Sequence, residues 1–201
     1  MHQYLNKYAS KNCPKEYYKV RGISTVNISP PKQAARFIYM NKSAFNGIYR
    51  VNMKGQFNVP YGPSTNGPAL PSANQLKFAS HCLRKSKILC GDFEDILKNA
   101  IRGDFIYLDP PYPPSSETAY FTHYTPGRFA WKDQIRVAKV FHQLSKKGCF
   151  VMLSNADQPQ IRSLYAGFTI YCIDAIRWLG ANGDRYKVRE IVITNYKIGG
   201  Y

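Results

Sequence analysis

The chain has 201 residues, 44% hydrophobic and 20% charged, an ordinary composition for one globular domain with an insertion. Its 28 Lys and Arg against 12 acidic residues give a net charge of +16; a polyanion would relieve that self-repulsion, so nucleic acid is the leading partner class, with an inert basic surface as the plain alternative. No apolar run reaches the ~20 residues of a membrane span, the polar start MHQYLNKYASKN has no signal-peptide core, and five cysteines without a CxxC pair argue against a disulfide framework or zinc site and for a reduced, cytoplasmic setting.

Residues 1–31 are polar and aromatic and end in Ser29-Pro30-Pro31, which predicts one short helix and then a connection. Over 32–45, Ala35, Ile38 and Phe45 recur near helical spacing, and Pro31 suits a helix start. In NGIYRVNMKGQFNVPYG, Tyr49, Val51 and Met53 alternate, as do Gln56, Asn58 and Pro60 on the return. This predicts a β-hairpin over 46–61, with Gly55 supplying the positive φ of a tight turn. Residues 61–73, with three Pro and two Gly, read as a loop.

From 74 onward strands and helices alternate. Strands are predicted at 87–92 (KILCGD), 105–109 (FIYLD), 149–155 (CFVMLSN), 168–175 (FTIYCIDA) and 189–196 (REIVITNY), and helices at 74–84, 93–101, 132–147 and 157–165. Continuous apolar strands separated by helices indicate an α/β fold with a mostly parallel sheet covered on both faces. Cys90 and Cys149 fall in apolar runs, where free thiols are commonly buried. Such sheets hold their ligand at the C-terminal ends of strands, where Asp92 and Asp109 stand.

Asp109-Pro110-Pro111-Tyr112 follows directly on the strand FIYLD. The amino nitrogen of adenine is a poor nucleophile because its lone pair is delocalised into the ring. A carboxylate and a fixed carbonyl can hold both amino hydrogens and favour a tetrahedral nitrogen. Asp109 offers the carboxylate. Pro110 offers a carbonyl in a rigid segment without N–H donors. Tyr112 offers an aromatic face for a base swung out of the duplex. The plain alternative is a strand followed by a Pro-rich turn.

The chain resembles the Dam-type (D12 class) family of DNA adenine methyltransferases. The resemblance rests on FIYMNKSAFNGIYRVNMKGQFNVPYG, GDF, DFIYLDPPYPPSSETAYFTHYT, VMLSNAD and REIVITNY, in that order between about residues 32 and 196. It implies a Rossmann-like methyltransferase sheet with an inserted helical and β-hairpin recognition region. It divides the chain into target recognition over 1–73 and catalysis over 74–201. It also implies double-stranded DNA as substrate, S-adenosyl-L-methionine as methyl donor, base flipping, and direct transfer without a covalent enzyme–DNA intermediate. No metal is implied. Asp92 matches the acidic residue that takes the cofactor's adenine amino group, with Phe93 beside it; a helix N-cap is the alternative role for Asp92. Asp109 also lies on the cofactor side. Phe121 and Tyr124 match a segment over the active site that contacts substrate, and would otherwise be packing residues. Ser154 and Asn155 end the next strand near the same cleft, where they satisfy backbone groups or touch cofactor.

A two-stranded ribbon fits the major groove of B-DNA, where Arg suits guanine and Asn suits adenine. The resemblance makes Asn46, Ile48 and Arg50 the readers, with Lys54 at the turn; a solvated hairpin is the alternative. Members that read GATC usually carry an Arg-aromatic pair after FNVP-x-G, where this chain has Pro63-Ser64-Thr65, so the target is left open. Arg177, Arg185 and Lys187 are expected to meet phosphates.

The family's opening Phe-x-Gly-x-Gly loop and the acidic residue that takes the ribose have no match here. Two strands that would separate 87–92 from 105–109 are missing with them, which predicts 87–92 without neighbours and 105–109 as an exposed edge. The expectation is one piece of a split or truncated enzyme, complemented by an N-terminal polypeptide. The alternatives are a non-catalytic DNA-binding remnant and an RNA adenine methyltransferase, the latter disfavoured because A-form RNA hides its major groove. A cytosine-ring enzyme lacks its Pro-Cys nucleophile, and a zinc deaminase lacks its ligand spacing.

Overall fold

Proline at position 14 splits the expected single N-terminal helix into two. α1 (His2–Ala9) ends before it, and α2 (Pro14–Arg21) starts with Pro14 in its first turn after an extended Cys13. Proline has no N–H to continue α1, but its fixed φ suits a helix start. α3 (Pro30–Ser43) begins the same way. The computed structural model describes residues 1–52, 54–62, 69–113, 129–179 and 184–199, and only the backbone of 177–179 and 184–186.

These helices share a tyrosine-rich core in a first unit, Met1–Leu89. Leu5, Tyr8, Tyr17, Val20, Ala35, Tyr39 and Met40 pack with Ala44, Phe57 and Val59 from the following ribbon. Buried phenols need partners. The Tyr17 hydroxyl donates to the Val59 carbonyl at 3.0 Å and that of Tyr39 to Asn12 Oδ1 at 2.9 Å. Burial pushes both phenols up to about 12.

The predicted hairpin is a ribbon rather than a pair of regular strands. Its pairing consists of two isolated bridges, Ala44↔Tyr61 and Val51↔Phe57. A 3-10 turn at Phe45–Gly47, with Asn46 and Gly47 at positive φ, breaks the outgoing run. At the tip Asn52 Oδ1 accepts from the Lys54 and Gln56 amides at 2.9 and 3.0 Å, and Gly55 has φ +71°. At the base Phe45 N donates to Pro60 O and Gly62 N to Ser43 O. Gly62 is required there: a Cβ would lie 2.8 Å from the Ala44 carbonyl and from Phe45 Cα. α4 (Ala73–Leu83) follows, its start closed by a reciprocal Ser72–Gln75 capping box.

The expected strand at 87–92 does not form. Ile88 and Leu89 are 74% and 67% exposed. Among the described residues no strand lies beside this segment to pair its backbone, and an unpaired strand has no stability of its own. The expected helix over 93–101 is a 3-10 turn at Phe93–Asp95 and a single turn, α5 (Ile96–Asn99).

The second unit, Cys90–Tyr201, is mixed α/β. It contains β1 (Phe105–Leu108), α6 (Trp131–Lys146), β2 (Phe150–Ala156), α7 (Pro159–Leu164), β3 (Thr169–Leu179) and β4 (Asp184–Thr194). The sheet order is β1-β2-β4-β3, and β1 is an edge strand. Only β1 and β2 are parallel; β4 runs antiparallel to both its neighbours. The mostly parallel sheet expected from sequence is therefore corrected. β3 and β4 pair from Thr169↔Thr194 to Leu179↔Asp184, and so short a connection permits only an antiparallel return.

One sheet face supplies Ile106, Val151, Leu153, Ile191 and Ile193 to a core with Val137, Val140, Phe141 and Leu144 of α6 and Ile161 of α7. On the other face Phe105, Tyr107 and Phe150 stay more than half exposed, so the described residues cover one face, not the two expected. Cys149 is buried, but Cys90 is exposed because its segment joins no sheet. Among the described residues no helix is long and apolar enough to cross a membrane.

Candidate active site

β1 delivers Asp109 to the carboxyl end of the parallel pair, beside the end of β2. There Ser154 Oγ donates to Asp109 Oδ1 at 2.8 Å, and the Tyr107 hydroxyl donates to Ser154 Oγ at 2.9 Å. Asp109 is exposed, Ser154 is buried, and Pro110 is buried. The carboxylate is thus held from behind while its other side faces solvent.

The rest of the tetrapeptide is anchored from two further elements. Gln134 Nε2 on α6 donates to the Pro111 carbonyl at 2.8 Å, and Asn155 Nδ2 on β2 donates to Gln134 Oε1 at 3.1 Å. The Tyr112 hydroxyl donates to Glu190 Oε2 on β4 at 3.3 Å. Burial pushes the Tyr112 phenol up against a lowering hydrogen bond with Ser154, and the Glu190 and Asp109 carboxylates add to the rise. Asp109, Tyr112, Ser154 and Asn155 are brought together as a group. Tyr107, Gln134 and Glu190 join them unforeseen. Gln134 carried a visible signal: with Val137, Ala138 and Phe141 it falls on the i, i+3, i+4, i+7 stripe of α6, as its one polar member.

Asp92 opens the turn Phe93–Asp95 and caps it, its Oδ1 accepting from Glu94 N at 2.9 Å. Arg136 Nη2 donates to both Asp92 oxygens at 2.8 Å. Arg136 also meets Glu94 and Asp133, at 2.9 and 3.1 Å, and lies 4.7 Å from the centre of the Phe93 ring. The Arg136 guanidinium and the Glu94 amide hold the Asp92 carboxyl below its ordinary range. In return those acidic partners keep Arg136 more firmly protonated. The capping role of Asp92 is thus seen directly, and its carboxylate remains about half exposed.

In the first unit Asn46, Ile48, Arg50 and Lys54 are all exposed on the ribbon. Arg50 Nε donates to Asn58 Oδ1 at 2.9 Å. Lys187 is exposed on β4. Phe121 and Tyr124, and the side chains of Arg177 and Arg185, lie outside the described residues.

The sequence model of the D12 class N6 adenine-specific DNA methyltransferases matches residues 1–179. The type II methyltransferase M1.LlaDCHI of Lactococcus lactis subsp. cremoris is 47% identical over 84% of this chain and 60% of its own length. The type II methyltransferase M.MjaIII of Methanocaldococcus jannaschii is 43% identical over 90% and 64%. The DNA adenine methylase of Escherichia coli (strain K12) is 30% identical over 94% and 67%. The chain spans about three fifths of the length of the first two. None of these matches supports a separate complementing polypeptide.

Proposed function

The chain belongs to the D12 class N6 adenine-specific DNA methyltransferase family, and we propose from that premise that it carries the adenine-holding part of a site that methylates adenine N6 in double-stranded DNA. The observation that supports this most is the Ser154-held Asp109 carboxylate at a strand end, followed by a pinned Pro-Pro-Tyr segment. The free side of Asp109 accepts one amino hydrogen of a flipped adenine and the Pro110 carbonyl accepts the other. The nitrogen lone pair then leaves conjugation with the ring. Tyr112, its hydroxyl fixed by Glu190, stacks on the base. S-adenosylmethionine, when bound, supplies an electrophilic methyl group whose departure leaves a neutral thioether. The nitrogen forms one bond to carbon and sheds one proton on the Asp109 side.

For the methyl donor, Asp92 and Phe93 are the proposed contacts. An ionised carboxylate has about four acceptor sites, and Asp92 is about half exposed beyond its bonds to Arg136 and Glu94. It therefore retains room for an adenine amino group. The four-stranded sheet supports the assignment to a Rossmann-like methyltransferase sheet. The exposed ribbon supports Asn46, Ile48 and Arg50 as base readers with Lys54 on phosphate, and Phe121 and Tyr124 are proposed to meet the substrate. Recognition over 1–73 and catalysis over 74–201 remains the proposed division; the compact units part after Leu89, which leaves α4 with the first.

The test is Asp109→Ala. Methyl transfer to duplex DNA is expected to vanish while duplex affinity stays unchanged. Full retention of transfer would overturn the assignment.

A further inference from the structure

Gln134 is 2% exposed and Asn155 is fully buried. Burying two primary amides is unfavourable unless they are hydrogen-bonded. Here they form a directed chain. Asn155 Oδ1 accepts from Ala156 N at 2.8 Å, Asn155 Nδ2 donates to Gln134 Oε1 at 3.1 Å, and Gln134 Nε2 donates to Pro111 O at 2.8 Å. The chain starts on the backbone of β2 and ends on a carbonyl inside the tetrapeptide, and each amide's orientation is dictated by the one before it. A leucine at position 134 would fill the same stripe with less desolvation. The amide instead fixes the one carbonyl of the Pro-Pro pair that the base does not use.

We propose that Gln134 is a positioning residue for the adenine site, relayed by Asn155. By taking the Pro111 carbonyl, it sets the rotation of the segment and aims the Pro110 carbonyl and the Tyr112 ring at the base. Among the described residues none donates to the Pro110 carbonyl, which leaves that acceptor for the substrate. This inference rests on the reading of Asp109-Pro110-Pro111-Tyr112 as the adenine site.

The discriminating variant is Gln134→Glu. Its carboxylate still accepts from Asn155 but faces the Pro111 carbonyl with an oxygen instead of a donor. When protonated, it regains an O–H donor at that position. A buried carboxyl protonates well above the ordinary glutamate pKa of about 4.3. Methyl transfer is compared with the unsubstituted chain from about pH 8 down to about pH 5.5, and 2-aminopurine placed at the target of a duplex reports extrusion of the base. At the upper pH, kcat is expected to fall about a hundredfold, the scale of an ångström's misplacement, with KM for DNA nearly unchanged. The 2-aminopurine signal is expected to fall in step. Both deficits are expected to shrink as pH drops, and Gln134→Met is expected to show them at every pH. A Gln134→Glu deficit that is independent of pH, or a variant equal to the unsubstituted chain throughout, would overturn the inference. If Asp109→Ala still abolished transfer, the adenine-site reading would survive that result. If the unsubstituted chain neither transferred methyl nor raised the 2-aminopurine signal, the reading would fall and this inference with it.

Discussion

Replacing Gly62 with alanine tests how the exposed ribbon is tied to the helices of the first unit. The added Cβ would lie 2.8 Å from the Ala44 carbonyl carbon and oxygen and from Phe45 Cα. All three are backbone atoms, so no flexible side chain can swing away. Overpacking at such a site costs ~1–3 kcal/mol. Relief requires parting the ribbon at the hydrogen bonds Gly62 N to Ser43 O, 2.9 Å, and Phe45 N to Pro60 O, 3.0 Å, and weakening this pair adds about 1 kcal/mol. The expected loss is ~2–4 kcal/mol, a large share of what a unit of this size possesses. With a urea slope of ~1 kcal/mol/M, the unfolding midpoint of the first unit should fall by ~2–4 M. The two tryptophans, Trp131 and Trp178, both belong to the second unit. Their fluorescence transition should therefore stay in place while amide exchange at Phe45 and Gly62 accelerates. Gly55→Ala is the control, because a Cβ there would meet nothing within 4 Å and only the φ of +71° is strained; it should cost ~1–2 kcal/mol. Equal exchange at Phe45 in Gly62→Ala and the unsubstituted chain would refute the close-approach argument.

Tyr17→Phe removes the hydroxyl that donates to Val59 O; Arg21 Nη1 also reaches that carbonyl, at 3.2 Å, so urea unfolding should show a loss of only ~1 kcal/mol. Arg50→Ala should weaken discrimination between target and altered duplexes by ~1–3 kcal/mol, whereas Lys54→Ala should lower affinity for all duplexes alike and reduce the salt slope by about 1. Equal losses on target and altered duplexes in Arg50→Ala would count against its reading a base. Asp133 accepts from Ala130 N at 2.8 Å, and this bond, followed by that to Arg136, holds its carboxyl below its ordinary range. A depressed folded pKa contributes stability above the unfolded value, near 3.9, and loses it as pH falls through the lower folded one. Asp133→Asn should therefore flatten the acid-side stability loss of the second unit; parallel curves for the two proteins below about pH 4 would remove Asp133 from that account.

The placement of Asp109-Pro110-Pro111-Tyr112 at a strand end was legible because it is local: an acid and the carbonyl of the next residue directly follow an apolar strand. Helices were legible for a similar reason, and α3, α4 and α6 begin and end within two residues of their expected bounds. Strand 87–92 misled because apolar character reports a tendency to pair, whereas a strand exists only with a neighbour. The long β3–β4 hairpin was read as two short strands because its outer half carries Arg177, Arg185 and Lys187, which break the apolar run without ending the pairing. Tyr107 and Glu190 lie inside the matching segments without a chemical signal of their own, and Arg136 lies outside them. Each acts on a partner at least 44 residues away, and only the sheet order and the packing of α6 bring those partners within reach.

α6 links the two candidate contact groups through its register. Gln134 and Arg136 are two residues apart, so their side chains leave the helix about 200° apart. One reaches Pro111 and the other reaches Asp92. Rotating the helix by a single residue, about 100°, would withdraw both. The start of the helix is set by Asp133, which closes on Ala130 N and also touches Arg136. The N-terminal turn of α6 therefore holds in one register the carbonyl segment proposed for adenine and the acidic turn proposed for the methyl donor. A change at Ala130 or Asp133 that shifted the helix start should disturb both groups together, while a change confined to Asp92 should leave the Pro111 segment as it is. Amide exchange at Tyr112 and Glu94 would separate these outcomes: Asp133→Pro is expected to speed both, Asp92→Ala only the second. Fast exchange at Glu94 alone in Asp133→Pro would show that the two groups are held independently.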